Sequence, residues 1–223
     1  MQITERDIGI KAHPSAEPWE DIFESVQFPE DVVGLTILDI GAGASDATAR
    51  LVELGADAYA IDPLYKSGSD LKGKVRTQNR VVLYSKEDKM RRNEALERFM
   101  SSFKNEPDRY KTASATRIPY PDDTFDIVYS ISAVFGYLDV DLQILLKAVS
   151  ECLRVTKPEG RIVFAPYMKR QLAWPSFVND LRIDNENKML TWFNSNPQVG
   201  KVREVGEDWY KTLEIIKRPV PTS

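Results

Sequence analysis

LTILDIGAGASDATARLVEL, residues 35–54, decides the fold. Leu35–Ile40 is a mostly apolar run, as a strand covered on both faces requires. It runs into Asp39-Ile40-Gly41-Ala42-Gly43-Ala44-Ser45 and then into a helical pattern carrying Ala49, Leu51, Val52 and Leu54. Gly41 permits a tight turn, and Gly43 removes a side chain where a ligand must approach the backbone. Ser45 or Asp46 is placed to cap the helix, whose start offers unpaired N–H groups. Gly55 stands where a left-handed helix end is wanted.

The next strand is Asp57–Asp62, stopped by Pro63. Its last residue, Asp62, follows Gly41 by 21 positions. An acidic residue there is suited to accept two hydrogen bonds from a ribose diol. A dinucleotide fingerprint wants a third glycine three residues after the second, and that position holds Asp46. A carboxylate at a helix start repels a pyrophosphate. A loop with Asp39 and Asp46 suits a ligand bearing a cation better.

The rest of the chain alternates in the same way. Residues 18–27 form a short helical pattern ended by Pro29, and Arg91–Phe103 is an amphipathic helix. Phe125–Ile131 is a strand introduced by the turn Pro121-Asp122-Asp123, and Val140–Val155 is a long helix. Lys157–Gly160 is a turn before the strand Arg161–Ala165; a helix near 170–182 and a strand over Tyr210–Lys217 follow. Such alternation predicts an α/β fold, a mostly parallel sheet with helices on both faces. Right-handed crossovers bring the carboxyl ends of the strands to one edge, where ligands sit.

Bulk properties set the bounds. The chain has 223 residues, 42% of them hydrophobic and 29% charged, which suits one α/β domain with a proper core. No long apolar run argues for a membrane span, and the N-terminus is too polar for a signal peptide and too acidic for a transit peptide. A cytoplasmic location is expected. One cysteine, Cys152, on an apolar helical stretch, and one histidine, His13, exclude a conventional metal site. The net charge of −4 argues against general nucleic-acid binding. The charge is uneven: residues 72–111 carry a net of +6 and the remainder a net of −10. That stretch is read as a solvated amphipathic helix or as a surface that brings an anionic acceptor to the site. It lacks the aromatic pattern of a nucleic-acid platform.

Four stretches in order, LDIGAGAS, AIDP, ATRIPYPDDTFDIVYSISAV and ECLRVTKPEGRIVFAP, resemble the class I S-adenosylmethionine-dependent methyltransferases of the small-molecule type. The resemblance covers residues 33–166, and YKTLEIIKR is similar to the family's last antiparallel strand. It implies a Rossmann-like methyltransferase fold, with a mostly parallel seven-stranded sheet, an antiparallel terminal strand and helices on both faces. Residues 1–223 would then be one methyltransferase domain. Its parts are an N-terminal cap segment (1–32), a basic helical insertion (64–112) and a C-terminal helix with terminal strands (167–223). The implied cofactor is S-adenosyl-L-methionine, which has no phosphate and carries an ammonium. Gly41 and Gly43 would pass under its methionine part, and Asp39 would order that loop and reach the ammonium through water. Asp62 would bind the ribose hydroxyls, Ser114 and Ala115 would border the adenine, and Ser130 would offer its backbone to the methionine end. Two positions depart from the family pattern: Ser45 replaces a frequent third glycine, and Ser114 a frequent aspartate facing the adenine amino group.

The implied reaction is methyl transfer to a small-molecule acceptor. The protein's part is alignment and exclusion of water, so no catalytic residue stands out. His13, just before Pro14, is a candidate base or simply a surface histidine. Tyr137, Tyr167 and Trp174 are candidates for the walls of an acceptor pocket, or packing residues. Two other readings stay open: a non-catalytic regulatory protein that binds S-adenosylmethionine or S-adenosylhomocysteine, and a nucleotide-dependent oxidoreductase, against which Asp46 counts. The acceptor and the oligomeric state have no signature in the sequence.

Overall fold

The computed structural model describes residues 18–67, 85–135, 141–167, 176–207 and 210–220. Along them run α1 (Trp19–Val26), β1 (Thr36–Ile40), α2 (Ala47–Glu53), β2 (Asp57–Ile61), α3 (Lys86–Asn105) and β3 (Tyr110–Lys111). Then come β4 (Phe125–Ile131), α4 (Leu142–Val155), β5 (Thr156–Tyr167), α5 (Ser176–Ser195), β6 (Val199–Glu207) and β7 (Tyr210–Lys217). The strands form one sheet in the order β3-β2-β1-β4-β5-β7-β6. β1 to β5 are parallel, and β7 runs antiparallel to both β5 and β6. The order reverses between β1 and β4, so a crevice opens at the carboxyl ends of those strands.

Alternation along each strand divides the core. Leu38, Ile40, Val128, Ile162, Phe164 and Leu213 pack under α4 and α5 against Leu145, Val149, Cys152, Met189 and Phe193. Ile37, Ala58, Ile127, Tyr129 and Val163 face the other way, against Ile22 and Val26 of α1 and Ala47 and Leu51 of α2. Each such side chain taken fully from water contributes about 1.5–3 kcal/mol. Burial among these apolar groups holds the Cys152 thiol protonated by raising its pKa well above the usual range.

Helix ends follow their capping residues. Ser85 Oγ accepts the Asp88 N–H at 3.0 Å, so α3 begins five residues before the apolar periodicity does. Asp141 Oδ1 accepts from Gln143 N–H at 2.9 Å and Ile144 N–H at 3.2 Å and starts α4. Asp141→Ala is expected to cost about 1 kcal/mol, read as a lower urea midpoint with an unchanged slope.

Other features also differ from the sequence reading or blurred it. α5 extends to Ser195, past the expected 182, because Asn185 and Glu186 fill buried positions and break the apolar repeat. β6 lacks a clean period of two because the register shifts between Val199 and Lys201. Lys157–Gly160 is a bulge inside a continuous β5, with Phe125 paired to Thr156 and then Ile127 to Arg161.

The charge asymmetry resolves into internal pairs where α3 and its flank are described. Arg91 pairs with Asp21 of α1, Arg98 Nε lies 3.2 Å from Asp46 Oδ2, and Arg109 Nη1 lies 2.8 Å from Asp57 Oδ1. Residues 72–84 lie outside the described residues. At its other end α1 is fastened by Arg161, whose guanidinium donates to the Gln27 carbonyl at 2.8 Å and the Val26 carbonyl at 2.6 Å. Glu214, 2% exposed, receives both Arg161 and Arg203 behind it.

Candidate functional site

The loop after β1 meets the end of β2 at the sheet's carboxyl edge. Gly41 has φ +71° and Gly43 φ +58°, conformations that L-residues with a Cβ adopt at a cost. Gly41 N–H donates to the Ile61 carbonyl at 2.8 Å, which ties the loop to β2. Gly43 N–H donates to Asp62 Oδ2 at 3.0 Å, and Leu64 N–H to Asp62 Oδ1 at 2.7 Å. An ionised carboxylate has about four acceptor positions, so two remain for a pair of ligand hydroxyls. Burial raises the Asp62 pKa, and the two N–H donors oppose that rise.

The turn after β4 closes on the same loop. A Cβ built on Gly41 would lie 2.2 Å from Ala133 Cβ. Gly41→Ala therefore meets both a left-handed backbone and a contact that must shift. We expect a loss of about 2 kcal/mol in stability, read by urea unfolding. Ser130 holds this turn: its hydroxyl donates to the Ile40 carbonyl at 2.9 Å and accepts Val134 N–H at 3.2 Å.

Asp39 points from β1 toward α1, on the same face as Tyr129, its register partner on β4. Tyr129 hydroxyl donates to Asp39 Oδ2 at 2.9 Å. Burial pushes the Asp39 carboxyl up to about 7; the Tyr129 hydrogen bond lowers it and the Asp62 charge raises it further. Alternation along FDIVYSI placed Tyr129 on that face, which was the available signal for a partner that sequence reading missed.

Ser114 and Ala115 lie in a tight turn where Arg117 N–H donates to the Ser114 carbonyl at 3.0 Å. Ser114 Oγ is 3.0 Å from Thr116 Oγ1, and Ala115 packs in the core beside Ile40 and Ile61. The turn is anchored to α4 by Glu151, which accepts Ile118 N–H at 2.8 Å, and by Arg154, which donates to the Ile118 carbonyl at 2.9 Å. Nothing in the spacing of the sequence announced that clamp, because its partners are 33 and 36 residues apart.

Asp46 is corrected by the structure. Its Oδ1 accepts Trp19 N–H at 2.8 Å and its Oδ2 faces Arg98, so its charge serves the packing of α1 and α3 rather than a ligand cation. The cap of α2 falls to Ser45, whose Oγ accepts Ala47 N–H at 3.1 Å. His13, Tyr137 and Trp174 lie outside the described residues, and Tyr167 is described only as the backbone end of β5. Among the described residues no group of three or more His, Cys, Asp or Glu is placed to hold a metal.

The arrangement brings a glycine loop, the Asp62 carboxylate and the Asp39 carboxyl together at the carboxyl edge of β1 and β2, with both acids buried. Comparison with known proteins gives the family and the fold. A UbiE ubiquinone/menaquinone biosynthesis C-methyltransferase from Idiomarina loihiensis is 26% identical over 181 residues, covering 81% of this chain and 58% of that protein. The methyltransferase GfsG of Streptomyces halstedii is 28% identical over 158 residues, 70% of this chain and 47% of that protein. The chain thus spans about half the length of the curated relatives it matches. YcgJ from Bacillus subtilis superposes with a TM-score of 0.50 at 18% identity, covering 91% of this chain and 98% of that one. Magnesium protoporphyrin IX methyltransferase from Synechocystis, solved with bound SAM, gives 0.50 at 13% identity, covering 89% and 77%. The family model described as a methyltransferase domain matches residues 38–164, from the middle of β1 through most of β5, and by that match the chain belongs to the methyltransferase domain family.

Proposed function

We propose that this protein transfers a methyl group from S-adenosylmethionine to a small-molecule acceptor. The observation that carries the reading is Asp62: it directly follows β2, accepts from Gly43 N–H and Leu64 N–H, and as a carboxylate has acceptor capacity beyond those two bonds. The donor set fits the cofactor. Asp62 would take the ribose hydroxyls, Gly41 and Gly43 would leave room for the methionine part, and Asp39 would face its ammonium. Ser114 and Ala115 would border the adenine, and the Ser130 backbone the methionine end. Bound there, the cofactor supplies an electrophilic methyl group.

The chain's own work is positional. The Asp62–Gly43 bond fixes the loop, the Ala133 turn limits its movement, and the clamp of Glu151 and Arg154 holds the 114–118 turn. Tyr167 ends β5, and in the sequence Tyr137 follows β4 and Trp174 follows β5, so these three are our candidates for the walls of the acceptor pocket. His13 is our candidate base for acceptors that must lose a proton. Among the described residues no helix is long and apolar enough to cross a membrane, and we place the protein in the cytoplasm.

A calorimetric titration tests the reading. S-adenosylhomocysteine and S-adenosylmethionine are expected to bind at micromolar concentration. No heat at millimolar ligand, or tighter binding of NAD, would sink it; binding without transfer to any acceptor in a panel of phenols, quinols and amines would leave a binding protein instead.

A further inference from the structure

Three tyrosines crowd the underside of the glycine loop, and two of their hydroxyls have partners. Tyr129 donates to Asp39 and Tyr110 donates to Ser102 Oγ at 2.7 Å. Tyr65 differs. It stands in the short 3-10 turn Pro63–Ser67 directly after Asp62, and its N–H donates to the Asp62 carbonyl at 3.2 Å. The residue is 5% exposed, and its hydroxyl has no hydrogen-bond partner among the described residues. Its ring is boxed by Phe99, Phe103 and Tyr110 at centroid distances of 5.9, 5.4 and 5.9 Å, with Ala44 of the loop and Ala60 of β2 in the same cluster. Phenylalanine would satisfy that box. A buried hydroxyl without a partner is unfavourable, so its presence calls for a partner that arrives later. Burial raises the pKa of this hydroxyl well above its usual value, and the charges of Asp62 and Asp39 add to that rise.

We propose that Tyr65 is a positioning residue of the cofactor site. Its hydroxyl completes the hydrogen-bond set around the polar ligand group received by Asp62, meeting it directly or through one ordered water. This rests on the reading of the crevice as a site for S-adenosylmethionine. The placement explains an economy of the fold: the turn that follows Asp62 delivers both the Leu64 N–H that aims the carboxylate and a second donor behind it.

Tyr65→Phe separates this role from a packing role, since the ring is kept and only the hydroxyl is lost. Titration with S-adenosylhomocysteine is expected to show affinity about tenfold weaker than wild type, while the ligand-free melting temperature stays level or rises. In an Asp62→Asn background, removing the same hydroxyl is expected to cost less than threefold, because the two residues serve one group. Three results would overturn the assignment: affinity within twofold of wild type, a ligand-free melting temperature several degrees lower, or an undiminished tenfold loss in the Asp62→Asn background. Failure of the wild-type protein to bind S-adenosylhomocysteine would overturn the cofactor reading and this assignment together, and the wild-type titration alone identifies that case.

Discussion

Asp62→Ala is expected to weaken S-adenosylhomocysteine binding about 100-fold. Two ligand hydroxyls on an ionised carboxylate are worth roughly 1.5 kcal/mol each, and about 3 kcal/mol corresponds to a little over two decades in affinity. The loop adds to the loss. Without the carboxylate, Gly43 N–H and Leu64 N–H lose their acceptor, and the backbone hydrogen bonds to the Ile61 carbonyl are left to hold the turn at β2. Asp62→Asn should fall between wild type and Ala. Its amide presents an oxygen to one N–H donor and an NH2 group to the other, so one of the two backbone donors meets a donor. An Ala variant within threefold of wild type would remove Asp62 from the site. Binding through this residue should also weaken as the solution is acidified into its titration range, because ligand hydroxyls donate to the ionised form and burial has already raised its pKa.

The sheet was legible in the sequence for a physical reason. Strands buried on both faces must be apolar throughout, and LTILDI, FDIVYSI and RIVFA are short apolar runs punctuated by glycine, proline or aspartate. The site's backbone was legible because glycine takes the positive φ values at positions 41 and 43 without the cost that a Cβ brings. What was illegible lies in contacts between distant residues. The charge of Asp46 looked available to a ligand until Trp19 and Arg98, 27 and 52 positions away, took it. A count of charges left the basic stretch open between a solvated helix and a docking surface because it does not show which acids fold against it; among the described residues Arg91, Arg98 and Arg109 meet Asp21, Asp46 and Asp57. The full length of α5 was illegible because its inward positions include polar Asn185 and Glu186, so periodicity failed beyond 182 where the core itself departs from apolar packing.

Asp39→Asn is expected to change stability with a sign set by pH. The Asp39 carboxyl, 3% exposed, titrates at about 7 in the fold, against about 3.9 in an unfolded chain. Between those values the folded state holds a proton that the unfolded chain has lost. The stability tied to the neutral form is therefore full below pH ~4 and falls as pH rises through 7, by up to about 4 kcal/mol at 1.36 kcal/mol per unit. Asparagine keeps an oxygen to accept from Tyr129 and has no proton to lose. The variant and wild type should unfold at similar urea concentrations near pH 4, and the variant should be the more stable at pH 8. A difference that stays flat across that range would show that Asp39 does not titrate there. Ligand binding should move the other way. A cationic group over the loop favours the ionised carboxylate, so S-adenosylmethionine binding at pH 7 should release a proton, seen as a heat that varies with the buffer's ionisation enthalpy. The Asn variant should show no such release and weaker binding. A carboxylate kept where an amide would be more stable at pH 8 then follows from its work on the ligand, and the stability difference between the two chains measures what that work costs the fold.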